Sequence, residues 1–175
     1  MSDNLVVLRS VTGLLSSSRV TSVFAGPNTG SNLSMTLERT GVILNEREPH
    51  LRVHQLGPAE LALFIQCAWR LGDGERVLAS SANCDELEIR GYERLTRMVG
   101  SAVSRSKLLL PFFDLSITLD NGLQLDMFCD QSSGDDDANY TMETYQVACT
   151  VATSGRIFVT QKISNTQGIH VVTDV

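Results

Sequence analysis

The chain has 175 residues, of which 42% are hydrophobic, and 14 Lys and Arg against 20 Asp and Glu give a formal net charge of −6. This apolar content is enough for one compact core. The negative charge repels a phosphate backbone, so no nucleic-acid partner is expected. No apolar run approaches the ~18 residues of a membrane span, and the start MSDNLVVLRS lacks the features of a signal peptide. We therefore expect a cytoplasmic protein without a membrane partner.

The first predicted hairpin is NLSMTLERTGVIL, residues 32–44. Its first half alternates apolar and polar residues, which is typical of a half-buried strand. A loop that ends at the glycine would let a return strand pair Leu37 with Val42 and Met35 with Leu44.

The same alternation predicts one strand in LALFIQCAWR, residues 61–70. One face carries the apolar positions Leu61, Leu63, Ile65, Cys67 and Trp69. Trp69 is therefore predicted to lie in the core. Arg70 points the other way and is either a contact residue or the solvated end of the strand.

A short helix is predicted between the two halves of the chain. The segment SANCDELEIRGYERLTRMVG, which starts at Ser81, carries charges at helical intervals. Asn83 or Asp85 could cap this helix, although Gly91 weakens it.

A second hairpin is predicted in DLSITLDNGLQL, which starts at Asp114. A two-residue Asn-Gly turn would place the apolar residues of the two strands on opposite faces. A three-residue loop over 120–122 places them on one face, with Gly122 in the left-handed conformation. The pairs predicted by this register are Leu119 with Leu123, Ile117 with Leu125, and Leu115 with Met127.

The two hairpins belong to a longer internal repeat. Further matches are LRSVTG at 8–13 with LTRMVG at 95–100, LALFIQCAW with ETYQVACTV so that Cys67 aligns with Cys149, and GERVLAS from Gly74 with GRIFVTQ from Gly155. We predict a mainly β fold, with α+β as the alternative, formed by tandem duplication of antiparallel units of about 80 residues. The units are 1–80 and 92–175, joined by the linker 81–91. A pseudo-two-fold packing would make them one compact domain.

The titratable residues show no pattern typical of catalysis or metal binding. His50 and His54 are four positions apart, but they lie in an extended-looking segment without a third ligand. Nucleophile-elbow and phosphate-loop motifs are missing from the sequence. Cys67 and Cys149 lie in apolar runs and predict buried, reduced thiols. No catalytic residue, metal or cofactor is therefore predicted, and an enzymatic role is left open but not favoured.

One segment concentrates negative charge. DQSSGDDDAN, residues 130–139, contains four carboxylates, which are Asp130, Asp135, Asp136 and Asp137. The segment does not fit the EF-hand pattern for calcium. It is either a solvated loop or a contact surface for a basic partner. Together with Arg70, these aspartates are the candidate partner-binding residues.

The order of motifs resembles that of a known group of proteins. A Leu-x-x-x-x-Gly lead-in, an L-S-x-T-L strand, C-A-W-R followed by LASSANCD, a second V-G lead-in and DLSITLDNGLQL are similar to small bacterial proteins classed as domains of unknown function. The resemblance implies no activity and no catalytic residue. In size and acidic charge the chain is also similar to immunity proteins of bacterial toxin systems.

These observations predict a non-enzymatic protein-binding module. Its role would be that of an immunity or regulatory protein that docks a basic protein partner, or it would associate with itself. The alternative is a small-ligand-binding protein, or an unrecognised enzyme, with a pocket between the repeats.

Overall fold

The structure is a computed structural model that describes residues 3–25, 32–41, 56–83, 89–132 and 136–162. These residues form two α-helices, one short 3-10 helix and eleven β-strands. The helices are α1 (Asp3–Leu15) and α2 (Ile89–Thr96), and the 3-10 helix is Ser81–Asn83. The strands are β1 (Ser18–Phe24), β2 (Leu33–Arg39), β3 (Glu60–Ile65), β4 (Ala68–Gly72), β5 (Val77–Ser80), β6 (Val103–Leu109), β7 (Asp114–Leu119), β8 (Gln124–Phe128), β9 (Ala138–Thr144), β10 (Val147–Ala152) and β11 (Ile157–Gln161).

The strands form two antiparallel sheets. Sheet A has six strands in the order β1-β2-β3-β9-β10-β11, and sheet B has five in the order β5-β4-β8-β7-β6. The predicted mainly β class with antiparallel pairing is therefore confirmed. Strands from the first half of the chain are hydrogen bonded to strands from the second half in both sheets, at β3-β9 and at β4-β8.

The inner faces of the two sheets share one hydrophobic core. This core contains alternate residues of the central strands, which are Leu33, Met35 and Leu37 in β2 and Leu115, Ile117 and Leu119 in β7. Trp69 is 1% exposed and belongs to the same core, as predicted. Burial of the apolar set explains why each strand alternates in sequence.

The two helices cover the sides of the sheets. α1 packs against β6 and β11, which are edge strands of different sheets, and α2 packs against the opposite edges, β1 and β5. The side-chain amide of Asn4 in α1 donates to the carbonyl of Ile157 at 2.8 Å, and Arg94 in α2 donates to the carbonyl of Leu78 at 2.8 Å. Each helix therefore bridges the two sheets.

The helix content differs from the prediction of a single linking helix. α2 begins at Ile89 and extends beyond the predicted linker, while residues 84–88, including Asp85, lie outside the described residues. The structure adds α1, whose buried residues Leu8, Val11, Thr12 and Leu15 follow the spacing of one helical face. The prediction treated this segment only as a lead-in.

The predicted register of the second hairpin is confirmed. Ile117 pairs with Leu125 and Leu115 pairs with Met127. The amide of Leu119 donates to the carbonyl of Leu123 at 2.8 Å, and Gly122 has a φ of 85°. The three-residue loop thus keeps both apolar sets on the inner face of sheet B.

The predicted pairing of the first hairpin is wrong. Leu37 pairs with Val20 of β1 on one side and with Leu61 of β3 on the other, so neither edge of β2 is left for Val42. The same neighbours occupy both edges at Met35, which excludes the predicted pair with Leu44. Residues 42–44 themselves lie outside the described residues.

The predicted strand over residues 61–69 is two strands in different sheets. The chain leaves sheet A after Ile65 and enters sheet B at Ala68, so Cys67 lies in the corner between β3 and β4. Its proposed counterpart, Cys149, lies instead in the middle of β10. By topology the counterpart of Cys67 is Cys129, which follows β8 where the chain leaves sheet B.

A common plan relates the two halves. In the first half of the chain, β1 to β3 lie in sheet A and the next two strands, β4 and β5, lie in sheet B. In the second half the sheets are exchanged: β6 to β8 lie in sheet B and the following strands, β9 to β11, lie in sheet A. Among the described residues, the second half has one strand more than the first. The duplication itself remains a prediction, which this exchange of strands favours.

Candidate binding surfaces

The predicted contact residue Arg70 lies on the outer face of sheet B, as its alternation with Trp69 indicated. Its Nε is 3.2 Å from Oδ2 of Asp126 on the neighbouring strand β8. The Arg70 side chain is 53% exposed, and its guanidinium carbon lies 4.9 Å from the ring centroid of Phe128. Arg70 is therefore held by an ion pair and a cation–π contact while it remains accessible.

The predicted acidic residues lie elsewhere, along the connection from β8 to β9. Asp136 accepts hydrogen bonds from Ser154 and from Arg156, so its charge is already paired. Asp130 and Asp137 are exposed, and Asp135 lies outside the described residues. Within the described part of the chain, no hydrogen bond or ion pair joins Arg70 to these aspartates.

A buried asparagine fixes the start of this acidic connection. The side chain of Asn139, 1% exposed, accepts a hydrogen bond from the backbone amide of Asp130 at 2.9 Å and donates to its carbonyl at 3.0 Å. The backbone carbonyl of Asp137 accepts from the amide of Thr153 at 2.8 Å. These bonds use backbone groups, and they leave the carboxylates of Asp130 and Asp137 facing solvent.

The outer face of sheet B contains a cleft of about 350 Å³. Strand register places Arg70, Asp126, Ser116 and Lys107 in one row across β4, β8, β7 and β6. Arg105, two positions before Lys107, also lines the cleft. The cleft is therefore bordered by a cation on β4 and by two cations on β6, with polar side chains between them.

Asp126 forms the polar floor of this cleft. Partial burial raises the pKa of Asp126, but hydrogen bonds from Gln124, Ser116 and Arg70, together with the positive charge of Arg70, outweigh burial and hold the pKa below its usual range. The distances from Gln124 and Ser116 to its Oδ1 are both 2.7 Å. Asp126 is therefore a carboxylate at neutral pH, and both of its oxygens accept hydrogen bonds.

The two cations on β6 differ from Arg70. Arg105 and Lys107 are exposed, and neither makes a hydrogen bond or an ion pair among the described residues. As alternate residues of one strand they lie roughly 7 Å apart along it. Two positive charges without a partner in the described part of the chain thus flank a cleft in a protein whose net charge is −6.

An apolar rim borders the same cleft. Leu109 follows Lys107 on the same face of β6 and is 38% exposed, and Phe128 across the cleft is 39% exposed. Leu110 and Phe112, in the turn that follows β6, are also exposed, by 47% and 55%. Positive charge and accessible apolar surface therefore lie side by side.

The outer face of sheet A has a different character. Strand pairing places Phe24, Ser34, Phe64, Thr141, Thr150 and Phe158 in one row across all six strands. All three phenylalanines are exposed, by 61%, 46% and 40% in chain order. Phe24 and Phe64 line an open cleft of about 500 Å³ with Ser34, Gln66 and Glu143. Both halves of the chain contribute to this cleft.

The sequence interpretation did not predict the two cations on β6 or the row of phenylalanines on sheet A, because it was based on the apolar, inward-facing positions. Arg105 and Lys107 do alternate in VSRSKLL, and this period of two was available as a signal. The phenylalanine row was not available, because its residues come from β1, β3 and β11 and are aligned only by strand pairing.

Among the described residues, no group of three His, Cys, Asp or Glu side chains could hold a metal ion. The described helices include none with the length and apolar character of a membrane span. His50, His54 and Cys84 lie outside the described residues. No protein-family model, curated protein or solved structure matches this chain.

Proposed function

We propose that this protein is a non-enzymatic protein-binding module that docks an acidic segment of its partner on the outer face of sheet B. The observation that carries the proposal is the pair of exposed cations, Arg105 and Lys107, without partners among the described residues and beside a cleft with an apolar rim. Complementary charge attracts and orients a partner, and adjacent apolar surface adds affinity.

The spacing on β6 defines the segment that fits. Arg105, Lys107 and Leu109 alternate on one strand and therefore project from the same face. An extended partner has the same period of two, so carboxylates at alternate positions followed by an apolar residue would match all three side chains. Arg70 and Phe128 form the opposite wall, where a second apolar group of the partner would pack.

The acidic partner is favoured over the basic partner expected from the sequence. Asp136 already pairs with Arg156 and Ser154, which leaves Asp130 and Asp137 as the described carboxylates of that connection without an ion pair among the described residues. The sheet B cleft combines free charge with concave shape and apolar surface. Docking of a basic segment at the acidic connection is the competing outcome in the test.

A pair of labelled peptides tests the proposal. The first is a fluorescein-labelled peptide, Gly-Ser-Glu-Ser-Glu-Ser-Leu-Ser-Gly, and its twin has Lys in place of both Glu. Fluorescence anisotropy should show binding of the Glu peptide, weakened by salt, and little binding of the Lys peptide. Equal binding of both peptides, or tighter binding of the Lys peptide, would overturn the proposal.

Matched variants locate the site. Arg105→Gln should weaken Glu-peptide binding by about 3- to 10-fold, because it removes one charge-assisted contact. Arg97→Gln removes the same charge from an exposed position after α2 and should leave binding unchanged. Equal loss in both variants would mean that net charge rather than the cleft attracts the peptide. Binding of the Lys peptide that is lost in Asp137→Asn would assign docking to the acidic connection.

A second candidate function is supported by the open cleft on sheet A. Its position where β3 meets β9 corresponds to a pocket between the repeats, and Phe24 and Phe64 with Ser34 and Glu143 offer apolar and polar contacts to a small molecule. A fragment screen by NMR would test this function. Chemical-shift changes at Phe24, Phe64 and Thr141 that saturate with one fragment would support it, whereas changes confined to sheet B would count against it.

A further inference from the structure

Two cysteines face each other where the two halves of the chain cross between the sheets. Ala68 of β4 pairs with Phe128 of β8, and the next position of the same antiparallel register sets Cys67 opposite Cys129. Cys67 is buried and Cys129 is partly buried. Opposite residues of an antiparallel pair project to the same side of a sheet, so both side chains are directed inward, like those of Trp69 and Met127.

Backbone hydrogen bonds identify this position as a non-hydrogen-bonded pair. The amide of Cys67 donates to the carbonyl of Asn139 at 2.9 Å, and the amide of Cys129 donates to Oδ1 of Asp114 at 2.7 Å. Neither amide is therefore directed across to the other cysteine. The α-carbons of such pairs are roughly 4.5 Å apart, which lies within the range that a disulfide requires, roughly 4.4–6.8 Å.

The thiols interact in their reduced form. A hydrogen bond with Cys67 raises the pKa of the Cys129 thiol, and burial raises it further. The Cys129 thiol also lies 3.4 Å from the carbonyl of Phe113. The Cys129 thiol is therefore held neutral and in contact with Cys67, and its oxidation is expected to be slow at neutral pH and faster as pH rises.

We propose that Cys67 and Cys129 form a disulfide site that joins β4 of the first half to β8 of the second. The oxidant is a low-molecular-weight disulfide such as oxidised glutathione. The more accessible Cys129 thiolate attacks one glutathione sulfur, which forms a mixed disulfide and releases one glutathione thiolate. The Cys67 thiolate then attacks the Cys129 sulfur and releases the second glutathione. Two electrons pass from the protein to glutathione, and both cysteine protons end on glutathione thiols or on solvent.

The bond would stabilise the folded protein without changing its fold. It closes a long loop that contains β4, β5, α2 and β6 to β8, and it therefore restricts the unfolded chain. We expect the oxidised protein to melt about 5–10 °C higher than the reduced protein.

Mass spectrometry of the wild-type protein tests the proposal. The folded protein is incubated with oxidised glutathione at pH 8.5, quenched with acid and digested without reduction. We expect an intact mass lower by two hydrogens and a cross-linked peptide that joins Cys67 to Cys129. The predominance of a link to Cys84 or Cys149, or stable glutathione adducts with no internal link, would overturn the proposal.

Variants and a denatured control distinguish a link that the folded structure directs from disulfides that form between any two cysteines. Cys149→Ala should retain the link, because Cys149 lies in β10 of sheet A whereas the pair flanks β4 and β8 of sheet B, and Cys67→Ala should instead accumulate a glutathione adduct on Cys129. Protein oxidised in denaturant should give several alternative links. The same distribution of links in folded and denatured protein would also overturn the proposal, and this comparison does not depend on the folding of any variant.

Discussion

Val20 in β1 and Val103 in β6 occupy the same position relative to their neighbours in two different sheets. Val20 pairs with Leu37, Val103 pairs with Leu119, and all four side chains are buried. A register shift follows each valine at the next residue. Sheet A and sheet B therefore repeat not only a strand order but a local irregularity, which is the kind of detail that a duplicated segment retains.

The residue at each irregularity also makes the same hydrogen bond. The hydroxyl of Thr21 donates to the carbonyl of Thr36 at 3.1 Å, and the hydroxyl of Ser104 donates to the carbonyl of Thr118 at 3.0 Å. Thr36 and Thr118 are matching positions of the internal repeat predicted from the sequence. The equivalence of β1-β2 and β6-β7 thus extends to individual side-chain contacts.

The shared core predicts one cooperative unfolding transition. Ile117 is 0% exposed on the inner face of sheet B, so Ile117→Ala should lower the unfolding free energy by ~2–5 kcal/mol. Chemical denaturation followed by Trp69 fluorescence and by circular dichroism should give coincident curves. Val77→Ala, at a position 56% exposed on β5, should change the unfolding free energy by less than ~0.5 kcal/mol. Two separated transitions would show that the halves unfold independently.

A second prediction compares two glycines with different backbone conformations, and each serves as the control for the other. Gly122 has a φ of 85° in the β7-β8 turn, where an alanine is strained, so Gly122→Ala should destabilise the protein by about 1 kcal/mol. Gly13 lies in α1 with no atom within 4 Å of an added Cβ, and Gly13→Ala should stabilise it by about 0.5–1 kcal/mol. Thermal denaturation of both variants checks the signs, and equal signs would contradict the assigned backbone conformations.

The low pKa of Asp126 predicts a pH dependence. Since the folded-state pKa lies below the unfolded value of about 4, the carboxylate contributes stability that is fully present above pH ~4 and is lost as pH falls through the folded pKa. Asp126→Asn should lower stability by about 1 kcal/mol at pH 7, because the hydrogen bonds with Arg70 and Ser116 weaken. Below pH ~4 the stability of the variant should fall less steeply than that of the wild type. Parallel curves from pH 7 to pH 2 would exclude this contribution.

The acidic connection provides a fourth prediction. Replacing Asp135, Asp136 and Asp137 with Asn should change the unfolding free energy by less than ~1 kcal/mol, because the described ion pair of Asp136 with Arg156 is exposed. Calcium should not raise the melting temperature of the wild-type protein. A calcium-dependent rise that the triple variant abolishes would establish a cation site in this segment.

Local pattern predicted some strand pairings and could not predict others. The β7-β8 register follows from the loop at Gly122, because loop length and two alternating flanks leave one solution. Alternation in β2 indicates which face is buried but not which strands are its neighbours, so its pairing with β3 could not be predicted. The corner at Cys67 was hidden for a related reason. Both sheets face one core, so inward alternation continues through the corner without a break.

The candidate surfaces were predicted only in part. Alternation with Trp69 correctly placed Arg70 on an outer face, but its partner Asp126 comes from the other half of the chain. The aspartates of the acidic connection could be selected from the sequence because four carboxylates lie within eight positions. Arg105 and Lys107 are more widely spaced in sequence. What distinguishes them is that neither forms a hydrogen bond or an ion pair among the described residues, although the carboxylates of Asp114 and Asp126 line the same cleft, and only tertiary structure reveals this.

The exchange of strands between the sheets also constrains how the chain can be made. β4 and β5 leave the ribosome before β8, the strand that pairs with β4, has been translated, and β3 must likewise await β9. When only the first half of the chain has left the ribosome, β3 and β4 therefore each have an unpaired edge. Unpaired strand edges are typical binding sites for chaperones. Neither sheet can be completed until most of the second half has emerged, so vectorial synthesis delays the final fold until β8 to β11 have been translated.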